Sequence, residues 1–354
     1  MENTMQAILM TDPDEYGVQT VPIPTPGENE VLIKMHAVSI CGSDPKVFNG
    51  GYMPMWPIFW PFTPGHECAG EIVAVAPGVT DYKAGDRVAC EAHCGCGECI
   101  NCREGNYNLC MNYGKPETGH HHYGFTSNGG YAQYAVYNVK SIAKIPDNVT
   151  YSQASLADTA GTAYHAVKLA GIVKDGWTLI IGPGPMGNFV MQYAKMLGSK
   201  TIMVGRGLRL EIAKEMGADE VINYEECDDV VARIMELTDG LGVHRAYECA
   251  GSDDSLKQCI YACRKNGHIG FVAMYPTDEH MIPTKTIVHH QLTVHGSRAN
   301  PNVLGDVLRM MSTGDIRCDR MITHHFALDE MRHALDIFAN RRDGAMKVII
   351  EPNR

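Results

Sequence analysis

The sequence Thr178-Leu-Ile-Ile-Gly182-Pro-Gly184-Pro-Met-Gly187-Asn188-Phe-Val-Met-Gln-Tyr-Ala-Lys-Met-Leu197 changes character twice. It opens as a buried-strand run, breaks into glycines and prolines, and resumes as an amphipathic helix. A bare G-x-G-x-x-G is a weak motif. Between a strand and a helix it acquires a physical meaning, because residues without a Cβ let the backbone approach a pyrophosphate at a helix N-terminus. Gly182, Gly184 and Gly187, with Pro185 and Met186 opening the helix, are therefore candidate dinucleotide-binding residues. Pro183 and Pro185 remove two amide donors and stiffen the turn.

Strand-like runs recur near 201–204, 220–222, 244–249, 268–273 and 292–296, separated by helical stretches such as Leu208 to Met216 and Val230 to Leu237. With 178–181 they make a six-stranded β-α alternation, the pattern of a parallel doubly wound sheet. Nucleotide-binding units that take NAD carry an acid at the end of the second strand, where it holds the ribose hydroxyls. Here that strand runs into Gly205-Arg206-Gly207-Leu208-Arg209, with no acid. Gly205, Arg206 and Arg209 are candidate contacts, and Arg206 suits the extra phosphate of NADP. A charge-assisted bond of about 1.5–3 kcal/mol corresponds to roughly ten- to a hundredfold in preference. NADP is expected over NAD, against the plainer reading of Arg206 as a solvated loop residue.

The alternation stops on both sides. Beyond Gly296-Ser297, helices over 303–312 and 328–341 and strands over 321–326 and 347–351 are expected to return to the first part of the chain. That part reads as short strands at 5–10, 30–40, 71–76, 87–92 and 131–137, split by turns, which predicts a mostly antiparallel barrel. Ser152 to Lys168 reads as one helix starting near a serine cap. The domain expectation is 1–155, 156–296 and 297–354. Residues 50–62 are aromatic but interrupted by Pro54, Pro57 and Pro61, which neither a helix nor a central strand tolerates. This loop either walls a substrate pocket or forms a hydrophobic lid or subunit contact.

Composition narrows the partners. Net charge is −11, from 30 basic and 41 acidic residues among 354, which disfavours nucleic acid and anionic membranes as partners. No apolar run has the length of a transmembrane helix, and the N-terminus lacks the blocks of a signal peptide. Thirteen cysteines in a large chain of this kind more often hold metal than form disulfides, so a cytoplasmic location is expected.

Cys96, Cys99, Cys102 and Cys110, spaced C-x2-C-x2-C-x7-C, are the most specific local pattern. Four thiolates close a tetrahedral structural zinc site, in a lobe over about 90–112. A bacterial iron–sulfur run would need a Cys-Pro ending that is absent; Cys90 and Cys94 lie close by. His120 to His122 read as a solvated run, with a third metal site or a polar substrate contact as alternatives. More widely spaced are Cys41 in Cys-Gly-Ser-Asp, His66 and Glu67 in Gly-His-Glu, and Asp158. A thiolate, an imidazole and carboxylates are ligand types that a catalytic zinc accepts while keeping a position open. Read alone, Asp158 would only complement a helix dipole.

Taken together, Cys-Gly-Ser-Asp, Gly-His-Glu, the four-cysteine lobe, Gly-Pro-Gly-Pro-Met-Gly and the ending Ala-Met-Lys-Val-Ile-Ile resemble the zinc-dependent medium-chain dehydrogenases/reductases, which include alcohol, sorbitol and threonine dehydrogenases. The resemblance spans nearly the whole chain. It implies an α/β architecture: a Rossmann domain beside a GroES-like β-barrel catalytic domain. It implies two zinc ions per chain, the catalytic one on Cys41, His66 and Asp158, with Glu67 a resting ligand or exchanging neighbour. Asp44 would orient His66, and Ser43 would take the substrate's proton. Where relatives with a histidine relay place that histidine, this chain has Lys46. The implied activity is hydride transfer between NADP or NAD and a secondary alcohol of a polyol, sugar or related molecule, in a homodimer or homotetramer. Alternatives are a zinc-independent quinone or enone reductase of the same fold, whose members lack these ligands, and a zinc-stapled binding module without enzymatic activity.

Overall fold

The Glu30–Ser39 strand shows how composition becomes architecture. Val31, Ile33, Met35 and Ala37 are fully buried, while Leu32, Lys34 and His36 between them are only half-buried. That is the period-two signature of a sheet with one face on a core. In this computed structural model residues 3–57, 59–275, 277 and 279–354 are described. Met1 and Glu2 of the N-terminal stretch, and Ile58 of the aromatic 50–62 loop, lie outside the described residues.

The chain divides into two compact units. The first comprises Met1–Gly161, Ala299–Gly314 and Met321–Arg354. Its main sheet runs in the order Ile322–Ala327, Lys347–Glu351, Glu30–Ser39, Glu67–Val75, Arg87–Cys90, Ile142–Lys144, with Tyr134–Asn138 also paired to Glu30–Ser39. All of these pairings are antiparallel except Ile322–Ala327 with Lys347–Glu351. Register sets the later chemistry. Ser39 lies opposite both Glu67 and Ile349, so the chain just after Ser39, the Gly-His-Glu triplet and the C-terminal strand converge at one end of the sheet.

The second unit comprises Thr162–Arg298 and Asp315–Arg320. Its six strands, Glu220–Asn223, Lys200–Gly205, Trp177–Ile181, Val243–Glu248, Cys263–Phe271 and Thr293–Gly296, lie side by side in that order and all run parallel. Numbered along the chain this is 3-2-1-4-5-6, a doubly wound sheet that reverses direction at the strand bearing the glycine turn. The expected fold class is borne out. Leu179, Ile180, Ile202, Met203, Val204, Ala246 and Ile269 are fully buried, as strands covered on both faces must be.

The expected helix over 152–168 is two. Tyr151–Ser155 is capped by Thr150, not by a serine: its Oγ1 accepts from the Gln153 amide at 3.2 Å, and its own N–H donates to Gln153 Oε1 at 2.9 Å. This reciprocal capping box fixes the start two residues earlier than a Ser152 cap would. Leu156, fully buried, separates it from Ala157–Ala170, which carries Asp158 in its first turn.

Candidate active site and cofactor cradle

Cys41 follows the Glu30–Ser39 strand, and His66 and Glu67 sit where the Glu67–Val75 strand begins. One ligand atom from each of Cys41, His66 and Glu67 lies within 4.8 Å of the others. The next turn supports them. Asp44 opens the short Asp44–Phe48 helix and is fully buried. Its Oδ2 accepts from the Cys41 amide at 2.8 Å and from the Tyr131 hydroxyl at 2.8 Å, and Oδ1 lies 3.5 Å from His66 Nδ1. Burial pushes His66 toward its neutral form, but the Asp44 carboxylate and the Cys41 sulfur outweigh it and hold the imidazole well above its ordinary range. Ser43 Oγ is buried beside this group and has no hydrogen-bond partner among the described residues.

Glu67 is fully buried, and both its oxygens are engaged. Thr159 Oγ1 donates to Oε1 at 2.5 Å, and the buried Lys347 ammonium pairs with Oε2. Lys347 also donates to Thr159 Oγ1 at 3.0 Å and to the Ile40 carbonyl at 3.3 Å. Burial raises Glu67, yet Lys347 and then His66 bring it below the usual carboxylate range. Sequence reading used the segment around Lys347 only as a family signature and passed over Thr159 and Tyr131. A single lysine inside the apolar run Ala345-Met-Lys-Val-Ile-Ile was the available signal, because an ammonium there must find a buried partner.

Asp158 is not in the 4.8 Å cluster. Its Oδ1 accepts from Asn300 Nδ2 at 3.1 Å and from the Ala92 amide at 3.3 Å. Burial pushes its carboxyl up to about 6, with His66 opposing and Glu67 adding to the rise, so the three groups share one field. Lys46 is half-buried, and its ammonium stands 5.5 Å from the centroid of the Tyr52 ring. The Tyr52 phenol is pushed up to about 12 by burial and by the sulfur of Cys41. Tyr52 had been read only as part of the aromatic loop.

The 119–123 region corrects an expectation. His120 is fully buried, His122 nearly so and His121 partly so; they are not a solvated run. His122 stacks on Phe125 at 4.1 Å and lies 3.9 Å from His93, and Phe125 in turn lies 4.6 Å from His66. Trp56 closes this aromatic chain, 4.7 Å from Phe125. Glycine turns at Gly119 and Gly124, both with φ near +80°, fold the segment inward and bury rings that a polar run would expose. No three-ligand metal cluster includes these histidines among the described residues.

Cys96, Cys99, Cys102 and Cys110 bring their sulfurs within 4.8 Å of one another. Cys96 lies 3.9 Å from Cys102, and Cys99 lies 4.0 Å from Cys110. Four ligands about 2.3 Å from a tetrahedral zinc would stand about 3.8 Å apart, so the lobe has the dimensions of a closed site. A Cβ on Gly95 would fall 2.5 Å from the Tyr107 Cβ and 2.7 Å from the Cys102 sulfur, which is why a glycine stands there. Cys90 and Cys94 are buried elsewhere and stay outside the cluster.

In the second unit, Gly184 caps the Pro185–Met196 helix. A Cβ on Gly187 would lie 2.0 Å from the Gly182 carbonyl, and Gly182 itself has φ +110°, so the turn closes only with glycine at both places. A Cβ on Gly184 would be 4.0 Å from an Arg209 guanidinium nitrogen. Gly205 admits Pro183, whose ring carbons would stand 2.3 Å from a Cβ there. Arg206 Nη1 pairs with Glu225 Oε1 at 2.5 Å on an exposed surface. Sequence reading missed this acid because it follows the third strand, not the second.

A divalent metal and a dinucleotide both fit these donors. The first cluster offers a sulfur, an imidazole and a carboxylate with ligand atoms within 4.8 Å of one another, and the second unit has a Cβ-free turn at a helix start. Two family models match the chain: "Alcohol dehydrogenase GroES-like domain" over residues 27–147 and "Zinc-binding dehydrogenase" over 185–313. Sorbitol dehydrogenase of Bacillus subtilis is 32% identical over 352 residues, covering 99% of this chain and 98% of the relative. L-threonine 3-dehydrogenase of Pyrococcus abyssi is 34% identical over 358 residues, covering 99% and 100%. A zinc-binding dehydrogenase of Sinorhizobium meliloti 1021, solved bound to NADP, superposes with a TM-score of 0.89 at 28% identity and covers 99% of this chain and 100% of that one. No helix among the described residues is long and apolar enough to cross a membrane.

Proposed function

Because the chain belongs to the zinc-binding medium-chain dehydrogenase/reductase family, whose members include NAD(P)-dependent alcohol and polyol dehydrogenases, we propose how its residues divide that work. Cys41, His66 and Asp158 would hold a catalytic zinc, with Glu67 a resting ligand or exchanging neighbour, and the four cysteines of the lobe would hold a structural zinc. When bound, the catalytic zinc supplies Lewis acidity, which favours the deprotonated form of a hydroxyl it holds. Ser43 relays the substrate's proton, accepting it on the hydroxyl oxygen while giving its own proton outward; that hydroxyl is buried next to Asp44 and has no hydrogen-bond partner among the described residues. Asp44 holds the His66 ring through Nδ1 and so fixes which nitrogen faces the metal. Lys46 stands where relatives with a histidine relay place that histidine, and we assign it the outer end of the proton path.

Residues 1–155 with 297–354 act as the catalytic domain, and 156–296 binds the cofactor. Gly182, Gly184, Pro185, Met186 and Gly187 cradle the pyrophosphate, with Arg209 at its flank. Arg206, next to Gly205, recognises the 2′-phosphate of NADP, which we favour over NAD. The substrate class is a secondary alcohol of a polyol, sugar or related molecule. The protein works in the cytosol as a homodimer or homotetramer.

The observation that carries this reading is the convergence of Cys41, His66 and Glu67 within 4.8 Å. Metal analysis should give two zinc ions per chain, and a screen of polyols, sugars and simple alcohols should give turnover with NADP. One zinc and no turnover with either nucleotide would defeat the assignment. Arg206→Asp should move the NADP-to-NAD preference by about ten- to a hundredfold toward NAD; an unchanged ratio removes Arg206.

A further inference from the structure

The end of the parallel sheet opposite the glycine turn carries a concentration of charge that cofactor binding leaves unused. Arg245, third in Val243–Glu248, lies opposite Thr178, second in Trp177–Ile181, so it sits near the start of both strands, with His268 of the next strand beside it. Gly182 follows the other end of Trp177–Ile181, about 15 Å away at 3.3 Å per residue. A cavity of about 310 Å³ opens here, lined by His244, Arg245, Arg264, Lys265, Asn266 and His268.

Its donors outnumber its acceptors. The His244 Nδ1 receives the Trp177 amide at 3.1 Å, while Arg264 Nη1 stands 2.8 Å from Nε2 of the same ring. A neutral imidazole has one acceptor nitrogen, so in either tautomer one of these contacts sets a donor against a donor. Arg245 Nη1 donates to the His244 carbonyl at 2.8 Å, and its buried Nε has no hydrogen-bond partner among the described residues. Among the described residues no carboxylate pairs with Arg245, Arg264 or Lys265. That is unusual in a chain of net charge −11. Burial and then the neighbouring arginines depress His244 and His268, so the cluster feels its own repulsion.

We propose that this cavity is a binding site for a phosphate-class dianion, either free phosphate or the phosphate of a small monoester, separate from the cofactor cradle. Guanidinium forks match the oxygens of such a group. The anion would accept from Arg245 Nε and give Arg264 the acceptor that His244 cannot.

The test is calorimetric titration of the full-length, zinc-loaded protein with inorganic phosphate and, separately, glycerol 3-phosphate, against chloride at matched ionic strength. Saturable binding of either phosphate that persists when NADP is saturating supports the site. Arg264→Gln with Lys265→Gln should weaken it about tenfold or more, with melting temperature and NADP affinity unchanged, whereas Arg206→Ala should leave it intact. Three results would overturn the proposal: heats no different from chloride, wild-type affinity in the Arg264/Lys265 double variant, or loss of binding with NADP or in Arg206→Ala.

Discussion

The four-cysteine lobe and the Cys41–His66–Glu67 cluster are assembled in opposite ways. The lobe draws all its sulfurs from one stretch, 96–110, shaped by local turns such as Gly97 and Gly105 at positive φ. Three of its cysteines are only partly buried. Amide donors from Cys99 and Glu98 outweigh the effect of burial and lower the Cys96 thiol to about 6, while burial pushes Cys102 up to about 12 and raises Cys110, so the protonation of the four sulfurs is set within the lobe itself. The other cluster draws Cys41, His66 and Glu67 from segments remote in sequence and sets each beside a buried partner: the Asp44 carboxylate accepts from the Cys41 amide and lies 3.5 Å from His66 Nδ1, and Lys347 and Thr159 engage Glu67. A closed site can be written locally. A site that must keep a position open needs the fold to restrain its ligands from outside.

The sharpest way to break that contrast is to remove one ligand from each cluster. His66→Ala should lower kcat/KM by about a thousandfold or more, the loss of several kcal/mol of charge stabilisation, and should leave the structural zinc of the lobe in place. Cys110→Ser should do the reverse: one zinc lost per chain and a melting temperature lower by about 10 °C, with residual activity in the fraction that stays folded. Zinc analysis, scanning calorimetry and steady-state kinetics on both variants check this. Equal behaviour of the two would mean the clusters are not separable in role.

Next in size is Lys347→Met. It leaves the Glu67 carboxylate buried beside Thr159 with no ammonium, which should cost about 3–5 kcal/mol. Adding Glu67→Gln should recover most of that, because the residual buried charge is gone. Chemical denaturation of the single and double variants measures the coupling, and a double variant no more stable than Lys347→Met would show that the pair is not the source.

Asp44→Asn probes the same principle more gently. It keeps the shape of the group that receives the Cys41 amide and the Tyr131 hydroxyl but removes the charge facing His66. A tenfold to hundredfold loss of zinc affinity or activity, roughly, is expected, read by competition with a chelator. Retention of wild-type affinity would make Asp44 a packing residue.

The same contrast explains what could be read from sequence. The lobe was legible because its spacing is its geometry, and the doubly wound sheet because strand and helix periods alternate without interruption. Cys41, His66 and Glu67 were legible as residue types, but their meeting depends on Ser39 lying opposite Glu67, a register no local pattern encodes. Lys347, Thr159 and Tyr131 reach Glu67 and Asp44 across more than 80 positions of sequence, and Glu225 reaches Arg206 from the next strand's end. The inward turn of His120 to His122 was invisible for a related reason: a polar letter string gives no hint that aromatic partners will be delivered from Trp56 and His93.

The smallest effect concerns a carboxyl lying between the two clusters in sequence. Glu91 is almost fully buried; Oε2 accepts from the Tyr107 hydroxyl at 2.8 Å, and Oε1 has no hydrogen-bond partner among the described residues. Burial drives its carboxyl well above the usual range despite the tyrosine. The folded state therefore holds this proton more tightly than the unfolded chain, whose glutamate titrates near about 4.3. Its contribution to stability is complete below that pH and is lost as pH rises toward the folded-state value, at up to about 1.4 kcal/mol per pH unit. Glu91→Gln can keep the tyrosine bond without a proton to lose, so it should match the wild type near pH 4 and exceed it increasingly toward neutrality. Denaturant midpoints across pH 4 to 8 check the sign, and parallel curves for the two proteins would show that Glu91 is not the group responsible.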